Sequence, residues 1–219
     1  MEYVDLIVPT RGRRVKLAKM LKSVPAESEK KPINIILVCD ADIGTAGIYI
    51  DDPRIKDVIL TSQQFGSVTA RNLALKNAND AVLMATDDIE FYPGSIDAAI
   101  RAFEERFPDN DGVIGFTQVN HKSFSGAGIC LVGQKFLQRY PGKQLYFPGY
   151  FHFACQEIER LATSLGKMHI EPEAKLFHFH PSTGAGKRDR THDEARRHKV
   201  KDQRLSKARR EAGLMWGAA

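Results

Sequence analysis

The sequence predicts an α/β protein: a mostly parallel central sheet with helices on both faces, followed by a basic, helical C-terminal extension. Three observations carry this. The apolar runs at 3–10, 33–40, 55–61 and 81–85 are near-continuous rather than alternating, the pattern of strands buried on both faces. Helical spacings fall at 11–24, 67–78 and 96–107, between or after those runs, as crossover connections of a parallel sheet require. The positive charge is also segregated: residues 187–211 hold 11 Lys/Arg against 5 Asp/Glu, a net of +6, so the rest of the chain sums to −1.

Taken in order, "YVDLIVPT" (3–10) reads as a first strand ending near Pro9. Residues 11–24 follow as a helix, with Val15, Ala18, Leu21 and Val24 on one stripe. "INIILVCD" (33–40) is a second strand that runs into an acidic, glycine-containing loop, "CDADIGTAG". "IKDVILT" (55–61) is a third strand, and 67–78 a helix starting near Ser67. After the strand at 81–85, Ser95 is the expected cap of a helix whose Ile96, Ala99, Ile100, Phe103 and Phe107 repeat at helical spacing. The second half is less regular. Strands are expected at 112–119, 126–133 and 174–180, and helices at 134–140 and 155–166. With no internal repeat, the division is one domain over 1–186 and an extension over 187–219.

The 219 residues can bury a sizeable core. No apolar run approaches the roughly 20 residues that span a bilayer. The N-terminal stretch lacks the basic region and cleavage site of a signal peptide. Cys39, Cys130 and Cys155 lie far apart and form no C-x-x-C pair, which points to a reducing, cytoplasmic setting. "GAGIC" and "TGAGKR" lack the full spacing of dinucleotide or phosphate loops and read as turns.

The chemistry is expected beyond the carboxyl ends of the strands. The first strand delivers Pro9, Thr10, Arg11 and Arg13, the second Asp40 and Asp42, and the fourth Asp87 and Asp88; the helix after the third carries Arg71 and Asn72. Asp87 and Asp88 stand back to back at the end of a buried strand, where like charges repel unless water or a cation relieves them. Arginines and aspartates on one rim suit a nucleoside diphosphate with Mg²⁺ or Mn²⁺, because hard cations take carboxylate oxygen and complete their shell with phosphates.

"VPTRGR" (8–13), "CDAD" (39–42), "ARN" (70–72), "TDDIEFYPGS" (86–95), "CQEIERLATSLGK" (155–167) and "PEAKLFHFHP" (172–181) together resemble family-2 glycosyltransferases of the GT-A fold, in order and spacing over about residues 3–181. The resemblance implies transfer of a sugar from a nucleotide-diphospho-sugar to an acceptor hydroxyl, with inversion and with Mn²⁺ or Mg²⁺. It implies that Thr10 and Arg11 line the nucleoside pocket, that Asp40 accepts hydrogen bonds from base or ribose, that Arg71 lies near the nucleotide and that Asn72 supports the loop. Asp88 becomes the metal-binding acid, and His178 or His180 approaches the diphosphate or metal. The two histidines alternate along a strand, which favours His180, beside Pro181, as the site residue. Two positions depart from the family: Thr86 stands where the first acid of Asp-x-Asp belongs, and Cys155 falls where the catalytic aspartate is usual. Glu157 is then the expected base, since a carboxylate is needed to take the acceptor's proton and a neutral thiol serves poorly. Arg188, with Lys187 and Arg190, could close over the phosphates.

Three alternatives share these residues: a nucleotidyltransferase, although the first loop is poor in glycine; a nucleic-acid-binding protein gripping phosphates with its tail; and a degenerate sugar-nucleotide binder. The acceptor is left open between a saccharide and modified DNA held by the basic tail, as is oligomerisation.

Overall fold

The computed structural model describes residues 1–25, 28, 31–78, 80–121, 123–152 and 155–218. Its sheet has eight strands in the order β3-β2-β1-β4-β7-β6-β8-β5. β1 (Val4–Thr10), β2 (Ile33–Cys39), β3 (Ile55–Leu60) and β4 (Ala81–Met84) are mutually parallel. β7 (Cys130–Val132) runs antiparallel to β4 and to β6 (Val113–Gln118); β6 is parallel to β8 (Met168–His178), and β5 (Ile89–Phe91) is antiparallel to β8.

The continuous apolar runs divide by alternation into two cores. Leu6, Val8, Ile35, Leu37 and Leu83 point to one face, where α1 (Arg14–Ser23) and α4 (Ser95–Arg106) cover them. Ile7, Ile36, Val38, Val82 and Met84 point to the other, under α3 (Ser67–Leu75) and α6 (Cys155–Ser164). A strand that must satisfy helices on both sides has no polar face to show, hence the unbroken apolar runs.

Several boundaries differ from expectation. Val15 is 73% exposed, and α1 instead buries Leu17, Met20 and Leu21, with Val24 just beyond its end. The loop expected after β2 contains a helix, α2 (Ile43–Tyr49); its two glycines hide it, but Asp42 caps it, accepting from Thr45 N at 3.1 Å. Ser95 is the first helical residue of α4 rather than its cap; Gly94 precedes it at φ +73°. β8 begins six residues earlier than expected. Pro172 reads as a strand breaker, yet it falls where the β6–β8 register shifts between Phe116 and Thr117, a place where proline is tolerated. β5 is too short to signal itself.

The segment beyond 187 forms α7 (Arg190–Glu211), 22 residues capped by Asp189 in a reciprocal arrangement with His192. It packs onto the body. Trp216, just past it, donates from Nε1 to Gln144 O and sets its ring 5.3 Å from Phe147. Among the described residues no helix is long and apolar enough to cross a membrane.

Candidate active site

A cleft of about 710 Å³ opens beyond the carboxyl ends of β1, β2 and β4, and α7 crosses its mouth. Pro9, Thr10, Arg11, Arg13, Asp40 and Arg71 line it, and so do Asp87, Asp88, His180 and Arg188. Of the rim predicted from the strand ends and the helix after the third strand, all but Asp42, which caps α2, and Asn72, which holds the Tyr146 backbone, line this one cleft.

Asp87 and Asp88 are only 2% and 5% exposed, and an arginine relieves their repulsion. Arg13 Nη1 donates to Asp87 at 3.0 Å and to Asp88 at 3.2 Å. Thr10 Oγ1 donates to Asp87 at 2.8 Å, and Thr86 Oγ1 to Asp88 at 2.8 Å. Thr86, where the family's pattern has an acid, therefore steadies the remaining carboxylate. Burial pushes the Asp87 carboxyl upward, opposed by Arg13 and reinforced by the charge of Asp88. Burial would raise Asp88 too, but hydrogen bonds from His178 and His192, with the charges of His178 and Arg13, hold it well below the usual carboxylate range. Burial would lower Arg13, yet the two aspartates and Asp189 raise it above an ordinary guanidinium.

The histidines settle differently from the sequence reading. β8 ends at His178, and His180 lies past it, so strand alternation no longer governs the pair. Their rings are 5.3 Å apart and both line the cleft. The imidazole against Asp88 is that of His178, with Nε2 3.3 Å from Oδ1. His180 stands behind it, its Nδ1 accepting from Ser182 N at 3.1 Å. His192 Nε2 is 3.7 Å from Asp88.

Asp40 does more local work than expected. Its carboxylate accepts from Phe65 N at 2.8 Å, Gly66 N at 2.9 Å and Thr61 Oγ1 at 3.0 Å, which fixes the loop entering α3. Gly66 is at φ +86°, and a side chain there would meet the Phe151 carbonyl at 2.8 Å, so this turn admits only glycine. Asn72 clamps the Tyr146 backbone, donating to its O at 2.8 Å and accepting from its N at 3.1 Å. Arg71 lies below, buried, its guanidinium 5.5 Å from the Tyr146 ring; among the described residues its Nε has no hydrogen-bond partner.

Glu157 is not brought to the cleft. It is 2% exposed and is consumed by Arg209 Nε at 2.7 Å, the Tyr150 hydroxyl and Trp216 N at 2.9 Å. The expectation that it serves as base is corrected on this ground: it ties α6 to the end of α7. Cys155 does line the cleft, with its thiol pushed up by burial.

The sequence reading missed what α7 brings. Glu194 accepts from Arg11 Nε at 3.0 Å, and Asp189 takes Arg13 through Nε at 3.0 Å and Nη2 at 2.9 Å. Asp202 accepts from the amides of Phe151 at 3.1 Å and His152 at 2.8 Å. The only local signal was the capping pattern of Asp189 and His192; pairings across some 180 residues leave none.

Residues 5–153 match the sequence profile of glycosyl transferase family 2, and the chain belongs to that family. A crystal structure of residues 1–349 of TarS from S. aureus is similar, at a TM-score of 0.58 and 15% identity over 83% of this chain. The chain spans 62% of that structure's length, and at this identity the likeness is one of fold. No curated protein matches the sequence.

Proposed function

We propose that the protein is an inverting, divalent-metal-dependent glycosyltransferase that moves a sugar from a nucleotide-diphospho-sugar to an acceptor hydroxyl, with residues 1–186 as the catalytic domain and 187–219 as the extension that covers it. The observation that carries this reading is Arg71: a buried guanidinium, without a partner for Nε among the described residues, lining a cleft that also holds Asp88. A buried donor left unmatched is costly and calls for an anion, and a diphosphate meets that need.

The donor atoms near Asp88 fit a divalent ion. His178 holds Nδ1 2.9 Å from Gln118 Oε1 and Nε2 3.3 Å from Asp88, so an ion that displaced the Nε2 hydrogen would meet carboxylate oxygen and imidazole nitrogen together. Carboxylate oxygen with imidazole nitrogen suits Mn²⁺, and Mg²⁺ is served by the carboxylate and phosphates. Among the described residues no three His, Cys, Asp or Glu side chains form a ready cage, so Asp88 is the anchor and phosphate and water supply the other ligands. When bound, the ion offsets charge that builds on the departing diphosphate. Arg71 binds the same anion directly. Thr10 and Thr86 keep both aspartates in place. Arg13 and Arg11 now face carboxylates of α7, so a diphosphate reaching them exchanges with Asp189 and Glu194. Arg188 lies at the mouth and can close on the phosphates. Free thiols at Cys39, Cys130 and Cys155 support a reducing compartment such as the cytoplasm.

A polyanionic acceptor such as modified DNA has one observation in its favour. Arg196 and Lys199 line the cleft from α7, and Arg197, Lys201 and Arg204 extend an exposed basic surface along it.

The test is thermal unfolding and nucleotide release with Mn²⁺ and a panel of nucleotide sugars. A donor-specific rise in Tm with slow release of nucleoside diphosphate is expected. No stabilisation by any donor or diphosphate would contradict the reading.

A further inference from the structure

If the acceptor hydroxyl is deprotonated as the new bond forms, the cleft must hold a free base, and its carboxylates are all engaged. Asp87 and Asp88 hold Arg13, Asp40 holds a loop, Glu194 holds Arg11, and Asp202 holds two backbone amides. Glu157 is walled off by Arg209, and Cys155 is a half-buried thiol with a raised pKa. Among the cleft histidines, His178 and His192 face Asp88. His180 accepts a backbone N–H at Nδ1, which fixes the hydrogen on Nε2 and leaves no lone pair to take a proton.

His152 remains, and its surroundings suit the task. It lines the same cleft and its ring is exposed to it. Nδ1 is 3.0 Å from Ser67 Oγ, on the first residue of α3. With Nδ1–H donated to that hydroxyl, the Nε2 lone pair is free. The loop is held firmly for an exposed residue: the His152 amide donates to Asp202, and the neighbouring Phe151 ring stacks on His198 at 3.7 Å. His152 is also three positions before Cys155, which stands where the family pattern has an aspartate.

We propose that His152 is the general base of the transfer, with Ser67 setting its tautomer. This rests on the glycosyltransferase reading above. Nε2 takes the acceptor's hydroxyl proton as the oxygen bonds to the anomeric carbon; the bond from that carbon to the phosphate oxygen breaks, and its electron pair leaves with the nucleoside diphosphate. The side chain is open to the cleft, but the protein packed around it, and then the nearby charge of Arg71, hold the imidazole below its ordinary value, so it is neutral at pH 7.

The test uses the full chain with Mn²⁺ and four probes, UDP-glucose, UDP-N-acetylglucosamine, GDP-mannose and dTDP-rhamnose, with water as the acceptor. Nucleoside diphosphate release is followed for the wild type, His152→Gln and His152→Ala, with donor affinity from thermal shift. The expected result is a fall in kcat on the order of 10²–10⁴-fold in both variants. Donor affinity should stay within about twofold, and added imidazole should restore part of the rate to His152→Ala alone. Release by both variants at the wild-type rate, with unchanged donor binding, would overturn the base assignment and leave the glycosyltransferase reading standing. A lost rate that imidazole does not restore, together with a lowered Tm, would make His152 structural and also overturn it. A wild type that neither binds nor hydrolyses any probe takes down both.

Discussion

The sheet rim and α7 bring charge to one cleft from opposite ends of the chain, under different constraints. The rim places Thr10, Asp40 and Asp87 by strand geometry: each sits at or just past the end of a parallel strand, and the in-register pairing of β1 with β2 and β4 brings those ends together. α7 places Asp189, Glu194 and Asp202 by partner choice, each carboxylate finding arginines or amides far away in sequence. The contrast teaches that the rim makes the site and α7 completes it: the rim supplies arginines and the acid proposed to hold the metal, and α7 supplies carboxylates that hold two of those arginines and orient the loop bearing His152.

Breaking the rim should have the largest effect. Asp88→Ala should abolish Mn²⁺-dependent donor binding, a loss of at least about 100-fold by titration calorimetry, because phosphate and water cannot anchor an ion without a protein carboxylate. Undiminished affinity would remove Asp88 from the site. Arg71→Met should weaken nucleoside diphosphate binding by roughly 10–100-fold, the scale of one charge-assisted contact; calorimetry on the same diphosphate checks it, and since among the described residues Arg71 makes no ion pair and only a 3.4 Å hydrogen bond to Ala85 O, the fold should hold.

Changes in α7 should act on stability and access instead. Asp202→Ala strands the Phe151 and His152 amides, at about 1–3 kcal/mol for each unsatisfied group. A Tm lowered by several degrees is expected, and an unchanged Tm would mean the loop holds itself. The smallest effect belongs to the pair Asp189→Asn with Glu194→Gln. Asn keeps the helix cap, while both arginines lose a competing carboxylate. Donor affinity should rise a few-fold, since part-exposed ion pairs contribute about 0.2–1 kcal/mol each. A fall in affinity would mean that α7 carboxylates help bind the donor.

The same contrast explains what could be read from the sequence. The first four strands and α4 were legible because burial on both faces writes unbroken apolar runs and one helical stripe. Asp87 and Asp88 stood out because two carboxylates ending a buried strand demand a partner, although that partner, Arg13, was not foreseen. α2 was hidden by its glycines and β8 by Pro172 at a bulge. The stripe in α1 was misjudged because Val15 and Leu17 are both apolar and only packing decides which is buried. Glu157 was misread because nothing local distinguishes a carboxylate facing a cleft from one held by Arg209. The tail's net charge was plain, but three of its acids, the part-exposed Asp189 and the buried Glu194 and Asp202, carry the contacts that matter.

The central claim, that the rim cleft seats a nucleoside diphosphate against Asp88 and Arg71, is tested most directly by a crystal structure of the protein soaked with Mn²⁺ and the donor that stabilises it. The account predicts diphosphate density within hydrogen-bonding reach of Arg71, with the ion on Asp88. Density elsewhere, for example in the second groove, of about 610 Å³, beside Glu159, Arg160 and Arg210, would contradict it.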